Sequence, residues 1–352
     1  MNDQIPDTYR KIHVVNTSSL NFTEQTEIVE VPIVMPGPGE VLIKNKFAGI
    51  EASEILQNSG GYGPLAEAAP ATEMNGEIQL GDSGIEGVGV IAAAGEGVDL
   101  EVGTTVLFMG FGTSFREYVT FPAAQVIPVD APASAEMAAI VISASTAACG
   151  LDISGQLKEG EQVLVTGAAG GTGQFAVQWA KLKYNARVVG ICGSEAKEKM
   201  LKEIGCDATI NYRVETDLSA AIKSKFPNGI DVAYEGVCGQ LRDAVWENMA
   251  MFGRMVCIGS VGDGYDEVGG FSNHPIDSNS VIIKALSCTG FYLPNLVDDP
   301  RLPATINELL QYLIDGRISV KLDPQCANFK GLEGVYQAQD YIRTGQNVGK
   351  VY

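Results

Sequence analysis

The amino-acid sequence predicts an α/β protein in which a β-rich portion is joined to a doubly wound parallel sheet. Three observations carry this expectation. A chain of 352 residues is too long for one ordinary hydrophobic core and calls for two domains. Up to about Ala135 it reads as short strands separated by Gly and Pro. From there to about Phe291, apolar strand-like runs alternate with helical patterns, as in a sheet with helices on both faces.

The elements follow in order. Val41–Phe47 is a strand candidate after the turn signal Pro36-Gly37-Pro38-Gly39, and Gly87–Ala94 and Thr105–Met109 look alike. Residues 59–83, rich in Gly, Pro, Ala and acids, read as a loop. In the alternating portion, Gln162–Val165 is a buried strand. Thr172–Lys183 is a helix with Phe175, Ala176, Trp179 and Leu182 on one stripe. Arg187–Ile191 is the next strand, and Glu195–Ile204 a helix closed by Gly205. Further strands are expected at Ile230–Tyr234, Met255–Ile258 and Ser287–Phe291, and a helix at Ala304–Leu313. The expected boundaries are 136–292 for the parallel-sheet domain, with 1–135 and 293–352 forming the other.

Composition narrows the function. Hydrophobic residues make up 45%, which suits a globular protein and not a disordered one. The net charge of −19 repels phosphate backbones, so nucleic acid is a poor partner, and any site for an anionic cofactor must be locally basic. The seven cysteines are odd in number and form no CxxC, which reads as free buried thiols in a reducing compartment. No secretory or transit signal is evident at the N-terminus, no apolar run is read as membrane-spanning, and the cytoplasm is the expected location. His13 and His274 read as surface residues.

The sharpest motif runs from Val163 to Gly173: a buried strand, the turn Gly167-Ala168-Ala169-Gly170-Gly171-Thr172-Gly173, then a helix. Glycines let the backbone approach a pyrophosphate, and the helix start presents free N–H groups and a positive end. The next strand ends Gly190-Ile191-Cys192-Gly193-Ser194, with no acid at its tip to bond a ribose 2′-hydroxyl. Lys197 follows one turn later and Tyr212 ends the third strand. An acid-free tip near a lysine suits a 2′-phosphate, so the expected cofactor is NADPH.

These segments resemble the quinone oxidoreductase and prostaglandin reductase branch of the medium-chain dehydrogenase/reductase superfamily, and within it the prostaglandin reductase 3 type. The likeness rests on Thr166–Lys181, Gly205–Tyr212, Gly84-Ile85-Glu86-Gly87-Val88-Gly89 and Asn347-Val348-Gly349-Lys350. Gly49–Glu54 falls where that branch has an Asn-Ala-Ser-Asp-like segment. The resemblance implies a GroES-like β-rich catalytic domain, a Rossmann domain, a cleft between them and a homodimer. It implies cofactor contacts at Thr146, Gly170, Gly171, Thr172, Gly173, Gly193, Ser194, Lys197, Tyr212, Gly236, Ile258, Tyr265, Phe291, Tyr292, Leu293 and Asn347. Zinc-dependent relatives place a His where this sequence has Ile85 and a Cys at Glu51, so no metal site is expected.

Without metal, hydrogen bonds must polarise the substrate carbonyl. That suits conjugate addition of hydride to an enone, with charge developing on an enolate oxygen. Tyr265 and Tyr62 are the candidate proton donors. Glu51 and Glu54 read either as a general base or, more simply, as acids at a helix start. Enone or alkenal reduction, including 15-oxoprostaglandin-like lipids, quinone reduction, and cofactor binding without turnover remain open.

Overall fold

The computed structural model describes residues 5–59, 72–74, 77–79, 81–262 and 276–352, with backbone alone for 72–74 and 77–79. Strands β1 (Thr8–Val14) and β2 (Thr26–Pro32) form an antiparallel pair. A five-stranded antiparallel sheet follows from β3 (Glu40–Ala48), β6 (Glu86–Ala94), β7 (Thr105–Met109), β8 (Tyr118–Pro122) and β9 (Ile127–Val129), in the order β8-β3-β6-β7-β9. Between β3 and β6 lies the hairpin β4 (Thr72–Met74) and β5 (Glu77–Gln79). The segment expected as plain loop therefore carries a short strand pair.

A six-stranded sheet follows from β10 (Gln162–Val165), β11 (Arg187–Cys192), β12 (Ala208–Asn211), β13 (Ile230–Glu235), β14 (Met249–Cys257) and β15 (Ser287–Gly290). Every pairing is parallel and the order is β12-β11-β10-β13-β14-β15. That is the 3-2-1-4-5-6 arrangement, with the switch point beside β10. Helices cover both faces, so β10, β11 and β13 are almost continuously apolar and buried.

The helices are α1 (Phe22–Gln25), α2 (Ser53–Asn58), α3 (Ala135–Ala139), α4 (Ser145–Cys149), α5 (Gly173–Tyr184), α6 (Glu195–Glu203), α7 (Leu218–Lys225), α8 (Gly239–Glu247), α9 (Ser278–Lys284), α10 (Arg301–Ile314) and α11 (Gly331–Arg343). On α10, Leu302, Ile306, Leu309 and Leu310 are buried at helical spacing. Each contributes roughly 1.5–3 kcal/mol. They pack in one core cluster with Phe175, Ala176 and Trp179. The other side of α5 is covered by the segment after α10, where Gln178 exchanges hydrogen bonds with the Ser319 backbone and Gln174 with that of Lys321, so α5 is buried without a break from Gly173 to Ala180.

Three sequence readings change. Residues Ala135–Ser154 form a 20-residue helical run that is apolar and long enough to cross a membrane. It is mostly buried, and its side chains share a core with Val88 and Leu107 of the antiparallel sheet and Val163 of the parallel one. Its apolarity therefore comes from joining two sheets. Cys288 is exposed on the outermost strand, although the other cysteines are buried or half-buried. His13 is also half-buried, with Nδ1 2.9 Å from Asp82; His274 lies outside the described residues.

Candidate active site

A cleft of about 1390 Å³ runs along the C-terminal edge of the parallel sheet, between it and the antiparallel sheet. The glycine turn after β10 forms its middle. A Cβ on Gly173 would lie 2.4 Å from the Gly167 carbonyl and 2.7 Å from the Ala168 Cα, so only glycine lets α5 start this close to the strand. The hydroxyl of Thr172 donates to the Ser143 carbonyl at 2.8 Å and sits 2.8 Å from the Tyr234 hydroxyl. It therefore does not cap α5. The N–H groups of Gly171 and Thr172 have no backbone acceptor among the described residues, which leaves them for an anion in the cleft.

At one end, Gly193, Lys197 and Tyr212 come together on the cleft wall. Lys197 is half-buried; burial pushes its ammonium down, and its Nζ donates to the Gly345 carbonyl at 2.8 Å. Arg213 lines the same end, with its guanidinium 5.8 Å from the centre of the Tyr212 ring. Arg343 approaches from α11. This is the local positive patch that an acidic protein needs to hold an anion. Ser194 is not on the cleft wall. Its hydroxyl accepts the Lys197 N–H at 3.3 Å, so it acts as the N-cap of α6 and fixes the helix that carries Lys197.

Midway along the cleft, Gly236 and Ile258 line the wall after β13 and β14. The turn at Gly236 is held by Glu235, a residue the sequence reading missed. Its buried carboxylate accepts the N–H groups of Val237 (2.8 Å) and Cys238 (2.9 Å) and the Thr166 hydroxyl (3.2 Å). Burial pushes this carboxyl up and those hydrogen bonds oppose it.

The opposite end gathers Thr146, Phe291, Tyr292 and Leu293, while Asn347 lines the wall two residues from the Gly345 carbonyl that holds Lys197. Apolar side chains of Leu56, Met109 and Ile142 complete it. Tyr62 and Tyr265 lie outside the described residues.

The floor of this end holds an ionic cluster that the sequence did not reveal. Lys350 Nζ is 2.7 Å from Glu86 Oε1, is paired with Glu51, and donates to the Ser143 hydroxyl at 3.2 Å. Lys350 is aimed by Gly349, which has φ +101° and whose Cβ would lie 2.2 Å from the Lys321 carbonyl. A π-helical segment, Ile140–Ala144, supplies Ser143 and turns the Ile142 N–H onto Glu86 Oε2 at 2.8 Å. Glu51 is thus not a simple helix-start acid. Glu54 fills that place: it lies in the first turn of α2 and accepts the Glu51 N–H at 3.2 Å.

The electrostatics follow from burial around one cation. Burial pushes Glu86 up to about 8, opposed by the Lys350 charge and assisted by that of Glu51. For Glu51, burial also raises the carboxyl, but the Lys350 ammonium and three side-chain hydrogen bonds outweigh it and hold the group low. Glu54 is raised well above the usual range by burial and the neighbouring Glu51 charge. Lys350 is raised: its two carboxylates outweigh the burial penalty. Among the described residues, no group of three or more His, Cys, Asp or Glu side chains is arranged to hold a metal ion.

Residues 37–131 match the alcohol dehydrogenase GroES-like domain family, and residues 171–313 the zinc-binding dehydrogenase family. Prostaglandin reductase-3 of Mus musculus is 37% identical over 99% of this chain and 89% of its own length. A probable quinone oxidoreductase of Leishmania amazonensis is 36% identical over 98% of both chains. The structure of an Escherichia coli quinone oxidoreductase complexed with NADPH superposes with a TM-score of 0.78 at 23% identity, covering 97% of this chain and 98% of its own. The chain belongs to the medium-chain dehydrogenase/reductase superfamily, in its quinone oxidoreductase and prostaglandin reductase branch.

Proposed function

We propose that this chain is an NADPH-dependent reductase that saturates the C=C bond of α,β-unsaturated ketones and aldehydes, 15-oxoprostaglandin-like lipids among them. The observation that carries this is one continuous cleft with a basic end, a glycine turn and an apolar end floored by hydroxyl and carboxyl groups. The residues present fit the cofactor. Gly170, Gly171, Thr172 and Gly173 suit its pyrophosphate. Lys197, Arg213, Tyr212 and Gly193 suit the 2′-phosphate and adenosine, with Ser194 holding Lys197 in place. Gly236 and Ile258 flank the middle; Thr146, Phe291, Tyr292 and Leu293 surround the nicotinamide end, with Asn347 on the wall near Gly345. Bound there, NADPH supplies the hydride.

The chain's own residues then have two tasks. Leu56, Met109 and Ile142 exclude water from the reacting end, which strengthens each hydrogen bond made there. Thr146 places a hydroxyl group where a substrate oxygen gains charge, and Ser143, whose O–H is given to Glu51, holds that carboxyl at the cleft floor. Quinone reduction is the second reading, supported by the same cleft and by the Leishmania relative's name.

We take residues 136–292 as the cofactor domain and 1–135 with 293–352 as the catalytic domain. A homodimer is supported by β15, whose four residues are exposed at the edge of the parallel sheet, where no further strand pairs with it among the described residues. A cytoplasmic location is supported by seven free cysteines. The test is NADPH consumption by the purified protein against enones and quinones, with the products identified by mass. A saturated ketone bearing two added hydrogens supports the proposal. Consumption with quinones alone favours the second reading, and NADPH binding without consumption by any acceptor favours a protein that has kept the cofactor and lost turnover.

A further inference from the structure

The floor cluster contains one cation and two carboxylates in a nearly closed space. The side chains of Lys350, Glu86 and Glu51 are 1%, 0% and 16% exposed. An uncompensated charge in such a place costs several kcal/mol, so neutrality calls for one proton shared by the two acids. Glu51 and Glu86 meet on the same ammonium, that of Lys350. Lys350 contacts both, so the cluster is neutral whichever acid carries the proton. Glu51 lines the cleft, beside Ser143 and Thr146, whereas Glu86 lies behind it. The other titratable groups around the cluster are Glu54, whose Oε2 accepts from both the Glu51 N–H and the Gln339 amide, and the buried Tyr234 hydroxyl, which is held by Thr172.

We propose that Glu51 and Glu86, bridged by Lys350, store one proton at the cleft floor, and that Glu51 donates it to the α-carbon of the reduced substrate. This rests on the enone-reductase reading. Once hydride has reached the β-carbon, the enolate's C=C electron pair forms the new α-carbon–hydrogen bond. The proton that rests on Glu86 passes to Glu51; the Glu51 O–H bond then breaks toward the α-carbon and leaves its electrons on the carboxylate, so the negative charge passes from enolate to cluster. Water entering as product leaves returns the proton. A quinone needs this group less, because its oxygens exchange protons directly with water.

The experiment compares wild-type protein with Glu51→Gln and Glu51→Asp, each with NADPH and matched enone and quinone acceptors across pH. Loss of a general acid lowers enone kcat about 10²-fold in Glu51→Gln. The proposal expects this loss to exceed the quinone loss at least tenfold, with the NADPH Kd retained. Wild-type enone kcat falls as pH rises through about 8, that limb disappears in Glu51→Gln, and Glu51→Asp restores it. Equal losses on both acceptors with the limb intact make Glu51 structural and overturn the proposal alone. If Glu51→Gln does not fold, a wild-type enone profile with no alkaline limb overturns it by itself. Wild-type protein that consumes NADPH with neither acceptor removes the reductase reading and this proposal together.

Discussion

Lys350 Nζ lies 2.7 Å from Glu86 Oε1, joining the last residues of the chain to the first residue of β6 in a site without solvent contact. The folded pKa of Glu86 is raised to about 8 from 4.5. A raised group contributes stability that is fully present below its unfolded pKa and lost as pH rises through its folded one. Stability therefore falls between about pH 5 and 8, with a slope of up to about 1.4 kcal/mol per pH unit from this group. Glu86→Gln keeps the group neutral and flattens that slope. Glu54 and Glu235, also raised, preserve part of it. Urea unfolding at several pH values measures this; parallel slopes for the two proteins would contradict it.

Removing the cation has the opposite character. Lys350→Met leaves Glu51 and Glu86 facing each other without a counter-charge, and should cost about 3–5 kcal/mol. Adding Glu86→Gln to that variant recovers part of the loss, because one buried charge disappears with it. A double-mutant cycle by denaturant unfolding reads the coupling, and additive losses would show that the two groups do not interact.

Much of this architecture was legible from residues alone. The glycine turn, the acid-free end of β11 and the position of Lys197 follow from local chain chemistry, which sequence spacing records directly. Arg213 was missed because its only signal is standing next to Tyr212. The Glu51–Glu86–Lys350 cluster was missed for a deeper reason: its members come from three distant segments, and a lysine before a C-terminal Val-Tyr looks like a surface residue until the fold buries it. The capping role of Ser194 was not legible, because a serine opening a helix serves equally as ligand or cap. For the same reason Glu51 and Glu54 could not be told apart: both sit at a helix start, and only packing aims Glu51 at Lys350.

Selectivity for the phosphorylated cofactor should reside in Lys197 and Arg213. A charge-assisted hydrogen bond contributes roughly 1.5–3 kcal/mol, so Lys197→Ala should raise the NADPH KM by about 10- to 100-fold. NADH, lacking the phosphate, should be affected little. Arg213→Ala should act the same way. Steady-state kinetics with both cofactors test this, and equal effects on the two would place these residues away from the phosphate.

Gly173→Ala inserts a methyl group against the Gly167 carbonyl and the Ala168 backbone. Backbone cannot yield as a side-chain tip can, so overpacking should cost about 1–3 kcal/mol. In a protein this large each kcal/mol lowers Tm by roughly 2–4 °C. Cofactor affinity should fall too, since α5 must shift away from the turn. Calorimetry and a binding titration check both, and an unchanged Tm would mean that the turn is not closely packed.

The most direct test of the account is cofactor choice during enone turnover. With purified protein and one accepted enone, kcat/KM is measured for NADPH and for NADH while the saturated product is followed. The account predicts a preference for NADPH of at least about 10²-fold, from two phosphate-directed cations. NADH used as well as NADPH, or better, would contradict the assignment of Lys197 and Arg213, and with it the NADPH-dependent reading of the cleft.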